Sequence, residues 1–278
     1  MSSDQPSIVL AAFEGWNDAG SAASDALEVI ADAWGAVPVA ALDAEDFYDF
    51  QVNRPMLARN EDGVRSLAWP STKVSVATSP TSGRTILLVQ GIEPSMRWRQ
   101  YCEEILAVAK AWGAQTLVSV GALLADVPHT RPIPVQTTSE DTAVQAALDL
   151  EPSEYVGPVG ILSVLAHEAQ QSGISTMSIW AAVPHYVAQA PSPKASLALL
   201  SSLEEVLAEA LPVAELAEDA KAWQRGVDEL AEEDTEIAEY VRQLEEVKDT
   251  SELPEASGEA IAREFERYLR RRDPGSSR

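Results

Sequence analysis

Three stretches of this chain hold the side-chain types that acid–base or ligand chemistry needs, and each follows an apolar run. Thr116 to Arg131 reads TLVSVGALLADVPHTR: Leu117, Val118 and Val120 lead to Gly121, and the loop beyond supplies Asp126, His129 and Arg131. Ile8 to Phe13 runs into Glu14, Gly15, Trp16, Asn17 and Asp18, and Ile86 to Gln90 runs into Gly91 and then Arg97 and Arg99. An imidazole titrates near neutrality and could exchange a proton with a substrate. Glu14 and Asp18 could form a carboxylate pair with separated pKa values, and the two guanidinium forks could clamp a carboxylate or phosphate. Trp16 and Trp98 could line a pocket or an interface. Each residue also has a structural reading: Asp18 as a helix cap, His129 hydrogen-bonded within a proline-rich loop, Arg97 and Arg99 solvated in a first helical turn. No one stretch holds a complete catalytic set, so none of these residues is assigned a catalytic role. The convergence of the three loops is the functional lead.

Convergence requires the three runs to be strands of one sheet. Open α/β folds gather ligands at the carboxyl edges of parallel strands, where these loops would meet. Ser7–Phe13 is expected as the first strand, with Asn17 or Asp18 capping a helix that starts near Gly20 and buries Ala22, Ala23, Ala26, Leu27, Ile30 and Trp34 before Gly35. Val37–Leu42 would complete a βαβ unit. Residues 43–63 read as an excursion, and Val64–Thr78 as a hairpin turning at Pro70, Ser71 and Thr72 and added antiparallel to the sheet. Thr85–Gln90, a helix over Ser95–Trp112 and Gln115–Val120 form a second parallel unit. A short strand at Val135–Thr138, helices at Glu140–Leu148 and from Ile161 to Ser172, and a strand at Ser175–Val183 follow. Ser192 and Pro193 then open a helix bearing Leu197, Leu200, Leu203 and Leu207.

Composition narrows the function classes. Among 278 residues, 20 basic side chains face 44 acidic ones for a formal net charge of −24, which repels phosphate backbones and anionic lipid. Neither nucleic acid nor a membrane surface is an expected partner. Cys102 is the single cysteine, so no intrachain disulfide forms, and a reducing cytoplasmic setting is expected. The start, MSSDQPS, lacks the basic and apolar regions of a signal peptide, and no apolar run is long enough to span a bilayer. Signature loops for phosphates, dinucleotides, zinc proteases and α/β-hydrolases are absent, and His129, His167 and His185 are not spaced as metal ligands. No cofactor and no metal are expected.

The composition changes after Leu211. Residues 204–259 hold 19 acidic and four basic side chains. Leu216, Ala220, Trp223, Val227, Leu230, Ile237, Val241 and Leu244 follow a narrow helical seam with a break expected at Glu232–Thr235. Ser257–Arg272 is expected as a last amphipathic helix. The division is thus an α/β core over 1–211, an acidic helical appendage packing on it over 212–272, and a disordered tail over 273–278.

Several motifs in order along the chain resemble the bacterial branch of the proteasome assembly chaperone 2 family. They are FEGWNDAG at Phe13–Gly20, QGIEP at Gln90–Pro94, GALLADVPHTRP at Gly121–Pro132, PHY at Pro184–Tyr186, PSPKA at Pro191–Ala195, LPEASG at Leu253–Gly258 and EFERYL at Glu264–Leu269. The resemblance implies a three-layer α/β/α fold with a mixed, mainly parallel central sheet, similar to the phosphorylase/hydrolase-like architecture. It also implies a self-associating protein, a trimer being one form, with proteasome subunits as candidate partners. Some relatives dock on the proteasome by a C-terminal hydrophobic-Tyr-any residue tail, whereas this sequence closes in Gly275-Ser276-Ser277-Arg278, so docking by that route is not expected. Some bacterial members are labelled ATP-grasp-type ligases, for which this sequence has no nucleotide motif. The leading expectation is a non-enzymatic, homo-oligomeric protein-binding factor. The alternative is an enzyme or small-molecule binder using Glu14, Trp16, Asn17, Asp18, Gly91, Arg97, Arg99, Gly121, Asp126, His129 and Arg131 at the sheet edge.

Overall fold

The computed structural model describes residues 6–59 and 63–252. Their order is β1 (Ser7–Glu14), α1 (Ala22–Ala33), β2 (Val37–Ala41), α2 (Ala44–Phe47), β3 (Met56–Arg59), β4 (Arg65–Ala68), β5 (Thr72–Thr78), β6 (Thr85–Ile92), α3 (Trp98–Ala111) and β7 (Ala114–Ala125). Then come β8 (Val135–Thr138), α4 (Thr142–Leu148), α5 (Ile161–Gln171), β9 (Ser175–Pro184), α6 (Pro193–Leu207), α7 (Ala214–Glu233) and α8 (Thr235–Glu252). Seven strands form one sheet in the order β2-β5-β6-β1-β7-β9-β8, while β3 and β4 pair only with each other. Strands β6, β1, β7 and β9 are parallel neighbours, and β5 and β8 run antiparallel to them.

The layers follow from alternation. Ile8, Leu10 and Ala12 face one side of β1, Val9, Ala11 and Phe13 face the other, and all six are buried, as a strand covered on both faces requires. The apolar stripes of α1 and α6 cover the first face through Leu27, Ile30, Leu199, Leu200 and Leu203. Those of α3 and α5 cover the second through Tyr101, Ile105, Leu106, Ile161, Leu162 and Leu165. A fully buried large apolar side chain contributes about 1.5–3 kcal/mol, so the loss of any one stripe would approach the whole net stability of a domain, about 5–15 kcal/mol. The fold is therefore α/β/α in three layers, with a mixed, mainly parallel sheet. Helix α7 lies on α6 and is followed by α8; Ala220, Val227, Ala231, Val241 and Leu244 are their buried positions.

Several expectations need correction. Val64–Thr78 is not a hairpin: β4 pairs with β3 in the ribbon, and only β5 joins the sheet, antiparallel to both β6 and β2. The supposed excursion of residues 43–63 contains β3, which pairs with β4 only five residues further along the chain. Strand β2 runs in the same direction as β1 but lies beyond β5 and β6, at the sheet edge. Strand β7 does not end at Val120. It continues to Ala125 against β9, because the Ala122↔Ala181 to Ala125↔Pro184 register keeps its backbone paired. Ser192 does stand before α6, but its hydroxyl caps nothing; its N–H donates to the Gly20 carbonyl at 2.8 Å. Leu230, expected in the helical seam, is 60% exposed. The break between helices falls at Asp234, which has extended backbone and accepts from the N–H groups of Glu236 and Ile237. The helix expected over Ser257–Arg272 and the tail over 273–278 lie outside the described residues. Among the described residues no helix is long and apolar enough to cross a membrane.

Candidate functional site

The chain after β1 turns into α1 on one face of the sheet, whereas the chain after β6 turns into α3 on the other. Diverging connections of this kind open a crevice at the carboxyl edge. The protein's own polar groups fill it. Glu93, just beyond β6, accepts from Asn17 Nδ2 at 2.8 Å and from the Ile161 N–H at 2.8 Å, both through Oε1. Its own N–H donates to the Glu14 carbonyl at 2.9 Å. The first turn of a helix attracts anions through its unpaired N–H groups and dipole, and at α5 an internal carboxylate takes that position. Asn17 is buried against Gly160, where an added Cβ would lie 2.0 Å from Asn17 Oδ1. The Asn17 carbonyl accepts from the Ala122 N–H at 2.8 Å, tying the first loop to β7.

The structure thus joins the first loop to the start of the second and to β7, through Asn17, Glu93 and Ala122. Asp18 is a cap: its carboxylate accepts from the Ala23 N–H at 2.6 Å, the Ser24 N–H at 3.3 Å and the Ser24 hydroxyl at 2.5 Å. Asn17, the other cap candidate, serves Glu93 instead. Glu14 is exposed at the rim; partial burial and the nearby Asp18 and Glu28 charges raise its pKa. Asp25, one turn into α1, is raised to about 6 by burial and by Asp18, Glu28 and Glu14. Trp16 stands 66% exposed. Gly91 and Gly121 are sites of close approach, since a Cβ would lie 2.5 Å from the Ser71 carbonyl at the first and 2.6 Å from the Trp180 ring at the second. Arg97 pairs with Asp46 at 2.5 Å and Arg99 is exposed on α3, both outside the group around Glu93. Trp98 is half-buried and donates to the Pro94 carbonyl at 2.7 Å.

Asp126, His129 and Arg131 are drawn away to α7 and α8. His129 is buried, with Nδ1 2.7 Å from the Tyr186 hydroxyl and Nε2 3.0 Å from Asp228 Oδ1 on α7. The His129 N–H also donates to the Tyr186 oxygen at 2.7 Å, and a neutral imidazole with its proton on Nε2 would satisfy both ring contacts, accepting from Tyr186 and donating to Asp228. Burial lowers its pKa, against the Asp228 bond and charge that raise it. The Lys194 ammonium donates to the His129 carbonyl and to Gln224 of α7. Arg131 forks onto Asp249 at 2.9 and 2.7 Å and reaches Glu245 at 3.0 Å on α8. Asp126 receives the Tyr240 hydroxyl at 3.2 Å and lies 3.1 Å from His185 Nδ1. Residues 126–131 therefore act as a latch between the sheet edge and the α7–α8 pair. Glu93, Lys194 and Asp228 were missed as members of these groups. Gly-Ile-Glu-Pro directly after a strand was the one local signal for Glu93. Among the described residues no group of three or more His, Cys, Asp or Glu side chains could hold a metal ion.

Comparison with known proteins is decisive at the level of family. The PAC2 family model matches residues 12–231. The chain belongs to the PAC2 family. A PAC2 family protein from Streptomyces avermitilis is 50% identical, with a TM-score of 0.80 over 84% of this chain and 99% of that one. A proteasome-assembly chaperone homologue from Mycobacterium tuberculosis is 47% identical, with a TM-score of 0.77 over 84% of this chain and 99% of that one. An archaeal proteasome activator from Pyrococcus furiosus shares the fold at a TM-score of 0.64 and 15% identity, over 83% of this chain and 97% of that one. No functionally curated protein matches the sequence.

Proposed function

We propose that this PAC2 family protein is a non-enzymatic protein-binding factor of the proteasome-assembly type, working as a homo-oligomer in the cytoplasm, with proteasome subunits among its partners. The observation that favours this over a small-ligand role is the state of the carboxyl-edge crevice. Its helix N-terminus and buried amide are already satisfied by Glu93 and Asn17, so an incoming anion would have to displace an internal carboxylate. Kinship with the mycobacterial homologue supports the partner class. The α/β core through Leu211 and the acidic helices from Pro212 onward act as two parts of one factor, the helices offering charge to a basic partner.

Affinity capture of the tagged full-length protein from an extract of its own host, with mass spectrometry and light scattering, tests this reading. Retention of proteasome core subunits by an oligomer is the expected result. A monomer that retains no stoichiometric protein would overturn it.

A further inference from the structure

The β3–β4 ribbon does not belong to the sheet. It is hydrogen-bonded only to itself, and every residue of both strands is exposed. Isolated two-stranded ribbons are at best marginally stable in water. The register pairs Leu57 with Leu67 and Arg59 with Arg65. Residues two apart on a strand share a face, so one face of the ribbon presents an apolar pair beside a pair of guanidinium groups. Leu57 and Leu67 are 55% and 50% exposed. Like charges set directly opposite each other are unfavourable, and among the described residues neither arginine has a carboxylate partner. The connecting residues 60–62 include Glu61 and Asp62, so the positive charge belongs to the strands and not to the turn. This face fits a surface that is apolar in the middle and acidic at the rim.

The same chain has such a surface elsewhere. A cleft of about 290 Å³ at the α7–α8 corner is floored by Tyr186, Val227, Leu230 and Ile237 and rimmed by Glu233 and Asp234. The ribbon of its own chain is rooted several strands away from it. The ribbon enters the sheet at Thr72, opposite Gly91 on β6, while Tyr186 follows the carboxyl end of β9. Both sites are thus at the carboxyl edge, but β5 and β9 are separated by β6, β1 and β7, about 19 Å at the usual strand spacing.

We propose that the β3–β4 ribbon of one subunit docks in the acidic, apolar α7–α8 cleft of a second copy, Leu57 and Leu67 entering the cleft and Arg59 and Arg65 meeting Glu233 and Asp234. The proposal rests on the homo-oligomer reading and adds the surfaces to it. Two different patches meet, so the contact is heterologous, and the proposed assembly is the closed ring that such contacts form when their rotation closes. The contact sets two strand arginines against two carboxylates in a chain whose net charge of −24 otherwise opposes self-association.

Mild oxidation of the full-length L57C/L230C variant is expected to give a covalent ladder that stops at the ring's subunit number, while neither single variant cross-links. Cys102 is buried and does not interfere. The R59E/R65E variant, altered only at exposed positions, is expected to raise the dissociation constant at least tenfold in light scattering with unchanged circular dichroism. A disulfide dimer from L57C alone would overturn the proposal in favour of ribbon-to-ribbon pairing. An oligomer of unchanged mass in R59E/R65E with no ladder in the double-cysteine variant would also overturn it and leave the homo-oligomer reading intact. A monomeric wild type would overturn both.

Discussion

Glu93 is the residue on which the interpretation of the crevice turns. Its Oε1 accepts from both Asn17 and the α5 N-terminus, so Glu93→Ala leaves two donors unsatisfied and is expected to cost about 2–3 kcal/mol in urea unfolding. Glu93→Gln retains an accepting oxygen and should cost clearly less. If the two variants were equally destabilised, the bonds would not be the reason for the residue. Gly160→Ala should cost about 1–3 kcal/mol by forcing Asn17 off Glu93. Asp25 gives a test with the opposite sign. Its folded-state pKa of about 6 lies above the ordinary carboxylate value, so the folded protein holds a proton that the unfolded chain releases, and stability falls as pH rises through about 4 to 6. Asp25→Asn should therefore stabilise the protein at pH 7 by about 1 kcal/mol, reduced for solvent screening of a half-buried group, and by nothing near pH 4. Thermal midpoints at the two pH values check this.

Among the elements, the junction between the 126–131 loop and α7 is the point of pH sensitivity. His129 is buried beside Tyr186 and Asp228, and burial, helped by the Lys194 charge, depresses its pKa against the Asp228 and Glu245 charges. The unfolded chain takes up the proton more readily, so this contribution is present above about pH 6.5 and is lost as pH falls below it. His129→Gln should flatten that part of the stability profile, measured by chemical unfolding between pH 5 and 8. Asp228→Ala leaves the buried Nε2 without its partner and should cost about 1–3 kcal/mol, with faster hydrogen exchange in α7 than in α3. The helices themselves were legible. The stripes of α1, α3, α5 and α6 recur at 3.6-residue spacing, and the interruption at Asp234 marked the helix break. Of the ribbon, β4 was legible as the first arm of the expected hairpin but β3 was not, because it is a four-residue strand exposed on both faces, and nothing in an exposed strand imposes an alternation of apolar and polar residues.

For the whole molecule, charge sets the solution behaviour. A chain at −24 is kept apart from its copies at neutral pH except where basic and acidic surfaces are matched, and its solubility should reach a minimum between about pH 4 and 5, where carboxylates titrate. Turbidity against pH measures this, and a minimum near neutrality would contradict it. By itself the sequence determined the α/β class, the strands that sit between two helical layers and the acidic helices, since burial writes a local period into the chain. The strand order and the fate of the polar residues were decided only in three dimensions. Asn17 finds Glu93 76 positions away, His129 finds Asp228 99 away, and Arg131 finds Asp249 118 away. Closing a longer loop costs only slightly more entropy, so such partners are available to a folded chain although no local pattern records them. Tertiary contact therefore divided one apparent crevice into a filled switch point and a latch for α7 and α8.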